Sequence, residues 1–176
     1  PGPYNLENAL AATTVALLLK IPAEVAAKTL QEFKGVEHRM ELTEVINGIR
    51  FINDSKATNV DSVLCALNSF PSPIVLIAGG KDKGCSYERL TLLLNEKVRT
   101  MVLLGEAAER IEKESGFKPV YRTSSLEEAV LTAYQTASAG DTVLFSPACS
   151  SFDMFKNYEE RGRIFKEIVR RLKLLR

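Results

Sequence analysis

The chain has 176 residues, 45% of them hydrophobic and 26% charged, with 23 basic against 22 acidic side chains and a formal net charge of +1. The length suits one domain with or without an appendage, and the apolar fraction is enough for a packed core. The balance of charge argues against a nucleic-acid binder driven by phosphate neutralisation. No apolar run approaches the roughly 20 residues that span a bilayer.

The chain opens on Pro1 without a polar lead-in or a signal-peptide pattern, which points to a piece of a longer protein. From Leu6 the apolar residues fall at Leu6, Ala9, Leu10, Thr13, Ala16 and Leu17, a helical period. Asn5 and Asn8 share a face at its start, and Asn5 also suits an N-cap. A second helix is predicted from about Pro22 to Phe33, with Gly35 as its C-cap. This hairpin, residues 1–35, is too small for a core of its own and must pack on something else. A linker over residues 36–40 leads to the second predicted domain, residues 36–176.

Two alternating apolar runs, residues 42–46 and 49–52, flank Asn47-Gly48, a strong hairpin signal. The polar loop 53–59 (Asn-Asp-Ser-Lys-Ala-Thr-Asn) follows, then a helix from Val60 to near Phe70. Continuous apolar runs at 74–78, 101–104 and 142–145 predict strands buried on both faces and therefore parallel. A short strand fits Val120 and Tyr121. Helices are predicted over 87–94, 106–114, 126–137 and 158–174, with Ser124 or Ser125 capping the third. The expected class is α/β: a mostly parallel, Rossmann-like sheet with helices on both faces, preceded by the helical hairpin.

Three loops should then open on one sheet edge, where ligands bind in such folds. They are residues 53–59, 79–86 and 146–158. The first offers Asp54, Ser55, Lys56, Thr58 and Asn59, which suit a hydroxylated, negatively charged ligand but also an ordinary capped turn. The second, Gly-Gly-Lys-Asp-Lys-Gly-Cys-Ser, nearly matches a phosphate loop, but Cys85 stands where the lysine belongs. Its Lys81 and Lys83 still bring positive charge, as surface lysines on a turn also do. In the third, a helix beginning at the serines would offer free N–H groups to an anion. Lys56, Lys83, Thr58 and Ser151 together suit a compact dicarboxylate. The three cysteines, Cys65, Cys85 and Cys149, are odd in number and scattered, which with the missing signal suggests reduced thiols in a cytoplasm. Cys149 reads as structural, since the single histidine, His38, lies in the linker. The same scarcity argues against a zinc site, and no Gly-x-Gly-x-x-Gly follows a predicted strand, which argues against a dehydrogenase.

Five ordered motifs carry a family resemblance over nearly the whole chain. They are Tyr4-Asn5-Leu6-Glu7-Asn8-Ala9-Leu10-Ala11-Ala12, Glu37-His38-Arg39, the 53–59 loop, Gly79-Gly80 with Lys83, and residues 146–158. Together they resemble the Mur ligases, ATP-dependent amide-forming enzymes of peptidoglycan synthesis, and most closely the branch that adds D-glutamate. The resemblance implies the C-terminal domain of such an enzyme, a cytoplasmic monomer, with residues 1–35 as the end of its central ATPase domain. It implies ATP on the side of Asn5, Asn8, His38, Arg39 and Asp54, with Arg39 toward the terminal phosphate and Asp54 toward the ribose. It implies D-glutamate near Lys56, Thr58, Lys83, Ser151, Phe152 and Tyr158; Tyr158 stands where the family usually has Phe. Arg39, Lys56 and Lys83 take the catalytic roles. UDP-N-acetylmuramoyl-L-alanine and Mg2+ would be held by domains outside this chain, leaving it inactive by itself. A sibling ligase of other specificity, a folylpolyglutamate-type ligase and a non-catalytic binding module are the alternatives.

Overall fold

In a computed structural model of the chain, residues 3–71 and 73–174 are described, without the side chains of Pro3 and Tyr4. The sequence suggests an extended entry over residues 1–3; Pro1 and Gly2 lie outside the described residues, as does the terminal cation Arg176, while Pro3 is already helical. The described residues form two compact units that part between Val36 and Glu37.

The first unit is a hairpin of α1 (Pro3–Leu18) and α2 (Ala23–Glu32). Proline opens α1, where its missing N–H costs nothing, so Asn5 lies inside the helix and is not its cap. Phe33, extended, ends α2; the expected C-cap Gly35 lies beyond it with φ +92°. Small side chains at Ala12, Thr13 and Ala16 of α1 line a groove with Val25, Ala26 and Thr29 of α2. Leu6, Leu10, Leu17, Leu18 and Phe33 remain exposed.

The second unit is a six-stranded sheet in the order β1-β2-β6-β3-β4-β5. Strands β1 (Glu41–Ile46) and β2 (Ile49–Asn53) are antiparallel. Asn47 and Gly48 join them with φ +50° and +77°, as a tight hairpin turn requires. Helix α3 (Val60–Ser69) leads to β3 (Ile74–Gly79), and a 3₁₀ turn (Glu88–Leu90) runs into α4 (Thr91–Lys97). Then come β4 (Val98–Leu104), α5 (Ala108–Ser115), β5 (Val120–Thr123), α6 (Leu126–Thr136), β6 (Thr142–Phe145) and α7 (Tyr158–Leu174). Pairs β2–β6, β6–β3, β3–β4 and β4–β5 are parallel. Two elements differ from expectation. The helix predicted over 87–94 is a 3₁₀ turn followed by α4, and β4 begins three residues early because exposed Arg99 interrupts its apolar run without breaking the strand.

Alternation along the buried strands divides the core into two layers. Ile74, Leu76, Ala78, Met101, Leu103 and Leu144 pack under α3, α4 and α5. Val75, Ile77, Val102, Val143 and Phe145 pack against α6 and α7, where Phe145 stacks on Phe165 at 4.8 Å. From β3 the chain steps outward through β4 to β5, then returns to place β6 between β3 and β2. The carboxyl ends of β3 and β6 therefore form the topological switch point, the crevice where such sheets bind ligands.

Candidate functional site

All three expected loops open at that edge, and a single side chain ties two of them together. Arg161, in the first turn of α7, is 2% exposed. Its Nε donates to Ser55 Oγ at 3.0 Å and its Nη2 to the Ser55 carbonyl at 2.8 Å. Its Nη1 donates to the carbonyls of Cys149 and Ser150 at 3.1 and 3.2 Å. Ser55 Oγ in turn donates to the Tyr158 carbonyl. The second loop joins through the Lys81 amide, which donates to the Ser150 carbonyl at 2.9 Å. Gly80 allows this approach: a Cβ there would stand 2.4 Å from that same oxygen. Among the described residues Arg161 has no carboxylate within ion-pair distance. Burial pulls its pKa down to about 10, so it stays charged at neutral pH.

Lys56 and Lys83 are both exposed on these loops. The Lys56 ammonium lies 5.5 Å over the Tyr158 ring, a contact worth about 0.5–1 kcal/mol at an exposed site. Thr58 is half-buried, Ser151 buried and Phe152 68% exposed. The turn that carries Lys83 is braced by the Asp82 carboxylate. Asp82 accepts from Gly84 N and Tyr87 Oη, and its other oxygen takes Arg110 Nη1 at 2.6 Å. The helix expected to begin at the serines does not: Ser150 bridges to Lys81, residues 151–157 form turns and bends, and α7 starts at Tyr158 with Asn157 accepting from the Glu160 amide. Cys149 is buried, its Sγ 3.2 Å from Tyr87 Oη, and burial pushes its thiol pKa up to about 11, so it is structural.

The residues expected near ATP divide by unit. Asn5 and Asn8 lie exposed on α1 in the hairpin. His38, Arg39 and Asp54 belong to the sheet unit. Asp54 is buried, and its two oxygens accept from the Met40 amide and Ser146 Oγ at 3.1 and 2.8 Å. Burial pushes its pKa up to about 6, against the pull of those bonds and of Arg39. His38 is also buried, which holds its pKa below the ordinary value. Its Nδ1 accepts from Asn53 Nδ2 at 2.9 Å, leaving the proton on Nε2, 3.7 Å from Glu37. Arg39, next to His38 in the chain, is exposed.

Glu37, His38 and Glu41 bring ligand atoms within 4.8 Å of one another. That space is held by the Lys166 ammonium, 2.6 Å from Glu37 and 2.9 Å from Glu41. Burial works against the Lys166 charge, but the two carboxylates hold its pKa above the usual value. A resident cation makes this cluster a poor fit for magnesium.

Sequence reasoning passed over Asn53, Ser146, Arg161, Gly162 and Lys166. One signal was present: Gly162 interrupts an otherwise strong helical pattern, and an isolated helical glycine usually has a packing reason.

A profile of the Mur ligase glutamate-ligase domain matches residues 38–149. The chain belongs to the Mur ligase family. It is 50% identical over 179 residues to the UDP-N-acetylmuramoylalanine–D-glutamate ligase of Thermoanaerobacter sp. strain X514, covering 98% of this chain and 39% of that protein. The same-named ligase of Pelodictyon phaeoclathratiforme is 49% identical over 174 residues, covering 97% and 37%. The chain thus spans about two fifths of the length of these curated relatives. Among solved structures, a pseudomurein peptide ligase type C from Methanothermus fervidus superposes with TM-score 0.72 at 21% identity, over 98% of this chain and 36% of that one. The MurF ligase of Thermotoga maritima, solved in complex with ADP, gives 0.57 at 16% identity, over 89% and 39%. These structures share the fold.

Proposed function

We propose that this chain is the C-terminal portion of a cytoplasmic, ATP-dependent amide ligase that joins D-glutamate to UDP-N-acetylmuramoyl-L-alanine in peptidoglycan synthesis. The observation that carries the reading is a switch-point edge bearing Lys56, Lys83, Thr58 and Ser151, in a chain half identical to D-glutamate ligases. The absence from the chain of an Asp-Asn-Pro-Arg motif, which siblings adding diamino acids usually carry, also favours D-glutamate.

In this reading the terminal phosphoryl group of ATP passes to the carboxylate of the L-alanyl substrate, and ADP leaves. The D-glutamate amine attacks the acyl carbon, the bond to phosphate breaks, and inorganic phosphate departs. Lys56 and Lys83 hold the carboxylates of D-glutamate so that its amine faces that carbon, a positioning effect. Thr58 and Ser151 add hydrogen bonds, and Phe152 and Tyr158 cover the amino acid. Arg39 offsets charge on the transferring phosphoryl group. His38 and Asp54 support the turn that bears Arg39 and, with Asn5 and Asn8, are assigned to nucleotide binding in the full-length enzyme. The exposed leucines of the hairpin support its assignment to the preceding ATPase domain. The metal ligands and the uridine-nucleotide site are assigned to the rest of a monomeric enzyme.

The test is phosphate release by the full-length enzyme with ATP, magnesium, the nucleotide substrate and a panel of amino acids. D-glutamate alone should support turnover. Lys83→Ala should raise its KM roughly 10- to 100-fold, the loss of one charge-assisted bond, and leave the KM for ATP in place. A preference for a diamino acid or a folate substrate overturns the specificity. The 176-residue chain alone should release no phosphate.

A further inference from the structure

The turn that presents Arg39 is held in a conformation its residues do not favour. His38 and Met40, on either side, have φ +63° and +46°. Neither is glycine, so the surroundings must supply the free energy that left-handed backbone costs. The contacts that do so are specific. The His38 amide donates to Glu41 Oε2 at 2.9 Å, and the His38 carbonyl accepts from the Lys56 amide at 3.1 Å. The Met40 amide donates to Asp54 at 3.1 Å. The His38 imidazole is 4% exposed and stands edge-on to the Tyr158 ring, with centroids 6.3 Å apart.

The wall behind that imidazole is the backbone of α7 at Gly162. A Cβ there would lie 2.2 Å from His38 Nδ1, 2.8 Å from Cγ and 2.9 Å from Cε1. Asn53 Nδ2 reaches both the ring and, at 3.4 Å, the Gly162 carbonyl. Four residues on, the Lys166 ammonium ties Glu37 and Glu41 to the same helix. Glycine is a poor helix former, and Gly162 lies well inside the 17-residue helix α7. Its presence there costs helix stability, and it opens the space in which the imidazole sits.

We propose that Gly162 is a positioning residue for Arg39: its bare backbone seats the His38 ring, which fixes the left-handed turn and so the reach of the guanidinium toward the transferring phosphoryl group. This rests on the phosphoryl role proposed for Arg39 above.

The experiment is a double-mutant cycle in the full-length ligase, read as kcat and as KM for D-glutamate. Arg39→Ala comes first and tests the parent reading alone; an unchanged kcat sinks that reading and with it the role of Gly162. Given a loss with Arg39→Ala, Gly162→Ala should lower kcat at least tenfold and change the KM for D-glutamate less than twofold. His38→Ala combined with Gly162→Ala removes the clash, so the pair should be no slower than His38→Ala alone. If Gly162→Ala does not fold, the double variant still should, with the rate of His38→Ala. A Gly162→Ala enzyme with unchanged kcat, losses that multiply in the double variant, or a double variant that does not fold overturns the proposal.

Discussion

Replacing Arg161 by methionine tests whether one guanidinium holds the loops at the carboxyl edge of the sheet together. The substitution keeps much of the apolar stem and removes four hydrogen bonds. The lost partners are not equivalent. Ser150 O keeps the Lys81 amide, and Ser55 Oγ keeps its bond to Tyr158 O. The carbonyls of Ser55 and Cys149 lose their donor in a buried setting, at about 1–3 kcal/mol each. Against this, methionine relieves the burial of a cation without an acidic partner, so the net loss should be about 3 kcal/mol. At about 2–4 °C per kcal/mol for a chain of this size, Tm should fall roughly 6–12 °C. Scanning calorimetry on the chain measures this, and amide exchange at Ser55 and Ser150 should quicken with it. Arg161→Lys keeps the charge but not the planar fork, so it should fall nearly as far. A loss under about 2 °C for methionine, or a lysine variant as stable as the parent, would refute the reasoning.

Asp54 and Lys166 give predictions of different kinds. Asp54 has a folded-state pKa of about 6 against an ordinary 3.8, so the folded chain holds that proton more tightly than the unfolded one. Its contribution is fully present below the unfolded value and lost as pH rises through about 6, a change of about 3 kcal/mol. Asp54→Asn should abolish that part of the pH dependence; equal slopes in urea melts of both chains between about pH 4 and 7 would contradict it. Lys166 lowers the His38 pKa through its charge, so Lys166→Met should raise it. His38 is the single histidine of the chain, so its ring protons report the change directly by NMR, and an unmoved or lowered pKa rules the coupling out.

Much of the architecture was legible before any coordinates. The runs at 74–78 and 142–145 are continuous and apolar because parallel strands are buried on both faces, and they fold as β3 and β6. Asn47-Gly48 makes the hairpin turn because both positions need positive φ. Ser125 caps α6, accepting from the Glu128 amide. Loop chemistry was harder to read. Asp, Ser, Thr and Asn serve ligands and helix caps alike: Asn59 caps α3, while Asp54 is turned inward onto Ser146. The serines of the third loop signalled a helix start that Asn157 provides instead, because the carbonyls of residues 149 and 150 are taken by Arg161 and Ser150 bridges to Lys81.

Local periodicity, turn residues and motif order were enough to determine the α/β class, the strands and the loops at the carboxyl edge of the sheet, because each depends on neighbours within a few residues. The placement of β6 between β2 and β3 was decided only in three dimensions, as were the burial of Arg161, Gly162 and Lys166 and the seat of His38. Their partners lie more than 100 residues away for the bonds from Arg161 to Ser55 and from Lys166 to Glu37 and Glu41. A helical charge read from its own segment looks solvated; it becomes structural only when distant carbonyls and carboxylates close over it.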